Sequence, residues 1–435
     1  VEVGSSLGRS VYFSHPPRAT RDAAKETRVL LIQGGSVLTP EMRFERADVA
    51  VERGKITTVG AVRRVPKSAE VVDAAGRFVV PGLVEAHCHV SLFADGIDAR
   101  FYDGNEMTDP VTPHVRALDA VHPEDAAFAD LRRTGITTIS TSPGSGNLVG
   151  GQTAIVKTAG RTVEEMLVRA PGALKMALGE NPKRVYGEQK KAPSTRMGSA
   201  AVLREWLTRA AGYAEKKARH AEKQTAFEVG AAGATRPEPF DIDVRLEVLA
   251  SALRRELPVH IHTHRADDIM TAIRIAEEFD LDCVLIHATE GYKIADVLAG
   301  KGYPCIVGPI LFSRMKLELR DLRPSNAGAL AHAGVKVAIQ TDEGSATRYL
   351  ALNAAVAASE GMDEAAALRA ITLTPAEILR IDDRVGSLEP GKDADIAVFS
   401  AHPLDIARCR TERVWIDGKL VYARGSEGRF SEAPA

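Results

Sequence analysis

The sequence predicts an α/β fold: a (β/α)8 TIM barrel with a small β-sandwich drawn from both ends of the chain. Three observations predict it. At 435 residues the chain is too long for one small core and suits a large barrel plus a smaller domain. Its middle alternates apolar strands with helical stretches, the pattern of βα units and a parallel sheet. Both ends carry short β segments separated by turns.

Taken in order, residues 1–27 are polar and without sustained periodicity, and read as an N-terminal arm. From Arg28, the β segments Val29–Ile32, Ala47–Val51, Ile56–Val59, Val71–Asp73 and Phe78–Val80 follow one another between glycine-containing turns. They read as half of a β-sandwich over 28–80. The other half falls in 385–425, where Ile396–Phe399, Val414–Ile416 and Leu420–Tyr422 repeat the pattern. The barrel is expected over 81–384, with a C-terminal tail over 426–435. Its strands are Ile136–Ser140, Ala173–Leu178, Val259–His262, Cys283–His287, Cys305–Gly308 and Val335–Ile339. Helices are expected over Ala200–Lys223, Val244–Glu256, Asp267–Phe279 and Asp363–Ala370, the first of them solvated over much of its length.

Composition excludes several function classes. A chain with 45% hydrophobic and 26% charged residues folds rather than staying disordered. A net charge of −2 gives no electrostatic case for a nucleic-acid or membrane partner. No apolar run approaches the ~18 residues of a spanning helix. The cysteines Cys88, Cys283, Cys305 and Cys409 are scattered and form no Cys-x-x-Cys pair, which supports neither a zinc ribbon nor a disulfide framework. A reducing, cytoplasmic location is expected. The chain opens on Val1 rather than Met, which leaves a removed leader open.

The chemistry concentrates at strand ends. Val79-Val80-Pro81-Gly82-Leu83-Val84-Glu85-Ala86-His87-Cys88-His89 is an apolar run ending in two histidines one residue apart. Side chains at i and i+2 share a strand face, so both imidazoles aim the same way. Three later strands end alike, on His262, His287 and Asp342. Singly, each histidine is more often a hydrogen-bonded structural residue. Together they stand as ligand-type side chains at the strand ends, where a (β/α)8 barrel keeps its active site.

This series resembles the amidohydrolase superfamily, in the branch related to imidazolonepropionases and metal-dependent prolidases. That superfamily's first metal strand reads Pro-Gly-apolar-apolar-Asp-x-His-x-His. The likeness runs over about residues 28–425. It implies a metal site of His87, His89, His262, His287 and Asp342, with Asp342 also shuttling a proton. His262 is selected from His260, His262 and His264 because the strand-five ligand of the superfamily sits in apolar-x-apolar-His-x-His. His264 is assigned to the pocket, with a part in stabilising the oxyanion. The group bridging two metals is Glu180 or a carbamylated Lys175. About 16 Å of extended chain separates these two residues, so only one can stand at the mouth, and position favours Glu180.

Pocket residues are sought in two further stretches. Thr141–Gln152 is glycine-rich and follows a strand, and it contributes Asn147. Lys183–Gly198 is locally basic and contributes Tyr186 and Arg196, a guanidinium fork suited to a substrate carboxylate. Arg265 is a further substrate-binding candidate. It also stands where deaminases of this superfamily carry a glutamate, three residues after the strand-five histidine, which counts against deamination.

The expected function is a metal-dependent hydrolase of an amide or peptide C–N bond. The cofactor would be one or two divalent ions, zinc first, with manganese or iron as alternatives. The substrate would be a small molecule or peptide: dipeptide-like, a cyclic amide, or a peptide tail removed in natural-product maturation. Imidazolone-type ring opening or deamination is the first alternative, and a catalytically inactive barrel used as a binding scaffold is the second. A homo-oligomer is expected by analogy alone.

Overall fold

The computed structural model describes residues 29–94, 96, 98 and 102–425. The arm expected over 1–27 and the tail over 426–435 lie outside the described residues. The first five strands are β1 (Leu30–Leu38), β2 (Phe44–Glu52), β3 (Lys55–Gly60), β4 (Glu70–Asp73) and β5 (Phe78–Pro81). After them come β6 (Leu83–Cys88), β7 (Ile136–Thr141), β8 (Val149–Gln152), β9 (Ala154–Lys157), β10 (Leu167–Arg169) and β11 (Leu174–Ala177). The next four are β12 (Val259–Thr263), β13 (Cys283–His287), β14 (Cys305–Val307) and β15 (Val337–Ile339). β16 (Ile396–Phe399), β17 (Thr411–Ile416) and β18 (Lys419–Ala423) close the series.

The chain ends share one sheet, ordered β18-β17-β16-β5-β1-β2-β3, with β4 beside β1. β5 makes the join: it runs parallel to β1 and antiparallel to β16. The alternation of these short strands aims Ile32, Val49, Ile56, Val79, Ile396 and Trp415 into one buried cluster.

The middle of the chain forms two sheets, β10-β9-β7-β6 and β15-β14-β13-β12-β11-β8. β11 to β15 are parallel throughout, and β6 is parallel to β7. Such strands are buried on both faces, which is why they read as continuous apolar runs rather than alternating ones. β8 and β9 carry the chain from one sheet to the other, each pairing antiparallel, with β11 and β7 respectively. On the far side, the Asp342 N–H donates to the His87 carbonyl (3.3 Å) and the His89 N–H to the Glu343 carbonyl (2.9 Å). The segment after β15 is thereby drawn against the end of β6.

One correction concerns the glycine-rich stretch Thr141–Gln152. Its second half is not a loop but strand β8. Glycine usually signals a turn, but Gly151 sits at φ +128 with the Val115 carbonyl oxygen 2.5 Å from where a Cβ would stand. Only glycine fits so close a backbone approach.

The long helix covers Arg196–Glu228, starting earlier than expected because the Thr195 hydroxyl accepts from the Gly198 N–H. Its buried residues run from Ser199 to Tyr213, and none lies beyond Tyr213. Among the described residues no helix is long and apolar enough to cross a membrane.

A buried lysine ties the sheets together. Lys157, at the end of β9, donates to Asp393 (2.7 Å), Asp395 (3.0 Å) and Asp417 (2.5 Å) around β16 and β17. Asp393 also receives Lys55 and Arg384. Burial alone would raise the Asp393 carboxyl, but Lys157 outweighs it and holds the group down at about 2, whereas burial pushes Asp395 up. A depressed carboxyl stabilises above its ordinary 3.8 and loses that contribution as pH falls toward about 2. Replacing Lys157 by Met leaves the carboxylates without their cation and should cost about 3–5 kcal/mol in urea denaturation at neutral pH. A loss below about 1 kcal/mol would show the cluster to be energetically equivalent to a surface ion pair.

Candidate metal centre

Ligand-type side chains gather where the parallel strands end. His87, His89 and Asp342 form one group and His262, His264 and His287 another, each with ligand atoms within 4.8 Å of one another. His87 and His89 come from the end of β6, His262 and His287 from the ends of β12 and β13, and Asp342 from just beyond β15. Asp342 Oδ1 bridges the two groups: it lies 3.3 Å from His87 Nε2, 3.2 Å from His89 Nε2 and 3.8 Å from His287 Nε2. Two of these residues have left-handed backbones, His287 at φ +68 and Asp342 at φ +57. Neither is glycine, and such strain outside turns concentrates at functional sites.

Neighbouring groups set the tautomers. His89 Nδ1 lies 2.7 Å from the Ser142 carbonyl and His287 Nδ1 2.7 Å from the Gly308 carbonyl, so both donate there and leave Nε2 as a lone pair. The freed His287 Nε2 sits 2.8 Å from His262 Nδ1. His262 Nε2 is buried and lacks a hydrogen-bond partner among the described residues. Such lone pairs with an orphaned buried nitrogen fit a divalent cation well.

Burial drives the electrostatics. It pushes His87, His262 and His264 well below the ordinary imidazole range and His287 to about 4. Burial would raise Asp342, but His287, His87 and His89 outweigh it and hold the carboxyl ionised. These are neutral imidazoles and a carboxylate, the protonation states that a metal requires.

The two candidates for a bridging group are placed very differently. Lys175, on β11, is fully buried with its Nζ 2.9 Å from His87 Nε2, and burial lowers its ammonium to about 8. Glu180 opens the helix Glu180–Glu188, half-buried on the wall of the cavity, and belongs to neither ligand group. Position along the chain favoured Glu180, but β11 ends at Ala177 and Glu180 opens the next helix, outside both ligand groups.

The remaining pocket candidates are committed elsewhere. Asn147 and Tyr186 are buried and bond each other, the Tyr186 hydroxyl donating to Asn147 Oδ1 at 2.6 Å. Arg196 donates to Asp268, and Arg265 to Asp267. None of these four lines the cavity before the histidines, whereas His262, His264 and Asp342 do. His264 is steadied by a 2.7 Å contact from Nδ1 to the Thr289 hydroxyl. His260 lies deeper, with neither ring nitrogen bonded, and burial lowers it to about 3.

Two carboxylates escaped the sequence reading. Glu318 is buried with Oε1 3.6 Å from His264 Nε2, and its other oxygen accepts the Glu180 N–H. It comes from the single 3-10 turn Leu317–Leu319, too short for any periodicity to mark it. Glu85 accepts the His87 N–H and both the N–H and hydroxyl of Thr341, and burial raises it to about 8. The signal for Glu85 was present: it holds the acidic position of the first-strand motif.

Comparison with known proteins agrees with this geometry. The Amidohydrolase family model matches residues 78–421. An amidohydrolase, tasK, of Hapsidospora irregularis is 30% identical over 396 residues, covering 86% of this chain. The chain spans only 40% of the length of that relative. An imidazolonepropionase of Saccharopolyspora erythraea is 25% identical over 412 residues, or 87% of this chain and 94% of its own. The crystal structure of an amidohydrolase from Thermotoga maritima MSB8 superposes with a TM-score of 0.85 at 44% identity, over 91% of this chain and 100% of that one. With strand-end histidines, a bridging aspartate and a family match across most of its length, the chain belongs to the amidohydrolase family.

Proposed function

We propose that the protein is a metal-dependent amidohydrolase that cleaves an amide or peptide C–N bond. In this reading, a (β/α)8 barrel over 81–384 carries the site, and 28–80 with 385–425 form a composite β-sandwich. The observation that carries the proposal is the pair of adjoining ligand groups, joined through Asp342, with His262, His264 and Asp342 lining one cavity. His87, His89 and Asp342 would hold one divalent ion, zinc first, and His262 and His287 a second. Lys175 suits the bridging role better than Glu180. Its amine is buried beside His87 and loses its proton easily, as attack on carbon dioxide to form a carbamate requires.

The bound ions would supply Lewis acidity and a water whose pKa is lowered to about 7. The chain does the rest. Asp342, ionised and partly open to the cavity, takes the proton of the attacking water and returns it to the leaving nitrogen. His264, fixed by Thr289, faces the cavity where the carbonyl oxygen gains charge. Glu318 lies behind His264 and His262 and steadies their rings.

Ring opening of an imidazolone-like cyclic amide uses the same groups, and the Saccharopolyspora likeness favours it as the second reading. Deamination fares worse: Arg265 occupies the diagnostic position and is paired with Asp267. An inactive scaffold has no physical need for convergent buried histidines, which are costly to leave unbonded.

Elemental analysis of the purified protein should find about two divalent ions per chain, falling to about one in Lys175→Met. No ions, even after reconstitution with excess metal, would favour the scaffold. Asp342→Asn should lower kcat by about 10²- to 10⁴-fold while the unfolding midpoint is kept, as expected on loss of a general acid–base. Activity within tenfold of the parent would remove Asp342 from the proton path.

A further inference from the structure

We infer that the cavity is built for a zwitterionic dipeptide-like substrate, its carboxylate held by Arg184 and its ammonium by Glu180. The inference rests on the hydrolase reading above and names its substrate class. Both residues line the cavity of about 660 Å³ that contains His262, His264 and Asp342. They stand four residues apart on the helix Glu180–Glu188, so they share one face. Opposite charges at that spacing ordinarily pair with each other. Here they do not: among the described residues, neither side chain has an ion pair or hydrogen-bond partner.

The other cations near the site are spoken for. Lys316 lies 2.7 Å from Glu318 and donates to Asn181, while Arg196 and Arg265 are held by Asp268 and Asp267. Arg184 is therefore the cavity's free guanidinium, a fork suited to a carboxylate. Glu180 is the matching free acceptor. Side chains at this spacing start about 6 Å apart, and two extended residues span about 7 Å. A dipeptide can engage both charges with its peptide carbonyl between them. Phe312, Met315 and Leu317 add apolar lining to the same cavity, with Met315 72% and Leu317 63% exposed. That lining offers cover to an apolar substrate side chain.

The test is steady-state kinetics of the metal-loaded enzyme on one apolar dipeptide in three forms: free, C-terminally amidated and N-acetylated. The free form should exceed each capped form by about 10- to 100-fold in kcat/KM, the worth of a charge-assisted hydrogen bond. In Arg184→Gln the ratio of free to amidated substrate should collapse toward one, while the N-acetyl penalty persists. Glu180→Gln should do the reverse. Equal cleavage of all three forms by the parent enzyme overturns the inference, as does a uniform loss across them in the variants. Loss of a metal ion in Glu180→Gln overturns the role given to Glu180. A metal-loaded enzyme that opens an uncharged cyclic amide but cleaves no dipeptide also overturns it, leaving the hydrolase reading intact. Absence of both bound ions and hydrolysis of any amide fails that reading itself.

Discussion

A buried carboxylate holds the site together. Glu85 on β6 accepts hydrogen bonds from His87, two residues on, and from the backbone and hydroxyl of Thr341, 256 residues away. It therefore fixes two neighbours of ligand groups at once, the one at the end of β6 and the one before Asp342. The Asp342 N–H to the His87 carbonyl and the His89 N–H to the Glu343 carbonyl complete the seam. Burial raises this carboxyl to about 8, so its three donors offset only part of the cost of a charge in such a place. Because Glu85 is satisfied only when both strand ends are in place, it couples the geometry of His87 to that of Asp342.

The same burial that makes the seam demanding prepares the chemistry. Removing water holds the imidazoles neutral, as ligands must be, and lowers the Lys175 ammonium toward neutrality. Asp342 stays ionised because three histidines outweigh the burial of its carboxylate. Burial penalises a charge on histidine and lysine alike, and Asp342 escapes only through its partners. A hydrophobic core placed here would be more stable. The ring nitrogens of His260, unbonded among the described residues, show stability given up at the base of the site.

How much of this was legible in the sequence follows from where each part resides. Strand ends were legible: His87, His89, His262, His287 and Asp342 stand on apolar runs whose period fixes which side chains share a face, and the structure gathers all five. The β segments at both chain ends were legible for the same reason, and they meet in one sheet. The placement of Glu180 was not, because counting residues along an extended chain ignored that the strand stops at Ala177 and a helix begins at Glu180. Strand β8 was hidden by its glycines, which serve a close backbone approach to Val115 rather than a turn. Glu318 was hidden because the 3-10 turn Leu317–Leu319 is too short to carry a period, so nothing local says that it folds back against His264.

The cationic residues show the same limit from another side. Arg184, Arg196, Arg265 and Lys316 are indistinguishable as charges in a sequence, and a carboxylate clamp can be assigned to any of them. Folding distinguishes them by what each meets: Asp268 takes Arg196, Asp267 takes Arg265, and Glu318 takes Lys316. A paired cation has little left for a ligand, since a new partner must first displace the old one. The cation left unpaired among the described residues is therefore the informative one, and it lies on the helix that follows β11 rather than on a strand. The floor of the site, set by strand ends, is common ground for hydrolysis of many amides. The charges inferred to select among them sit on the helix above it, where sequence can change without disturbing the floor.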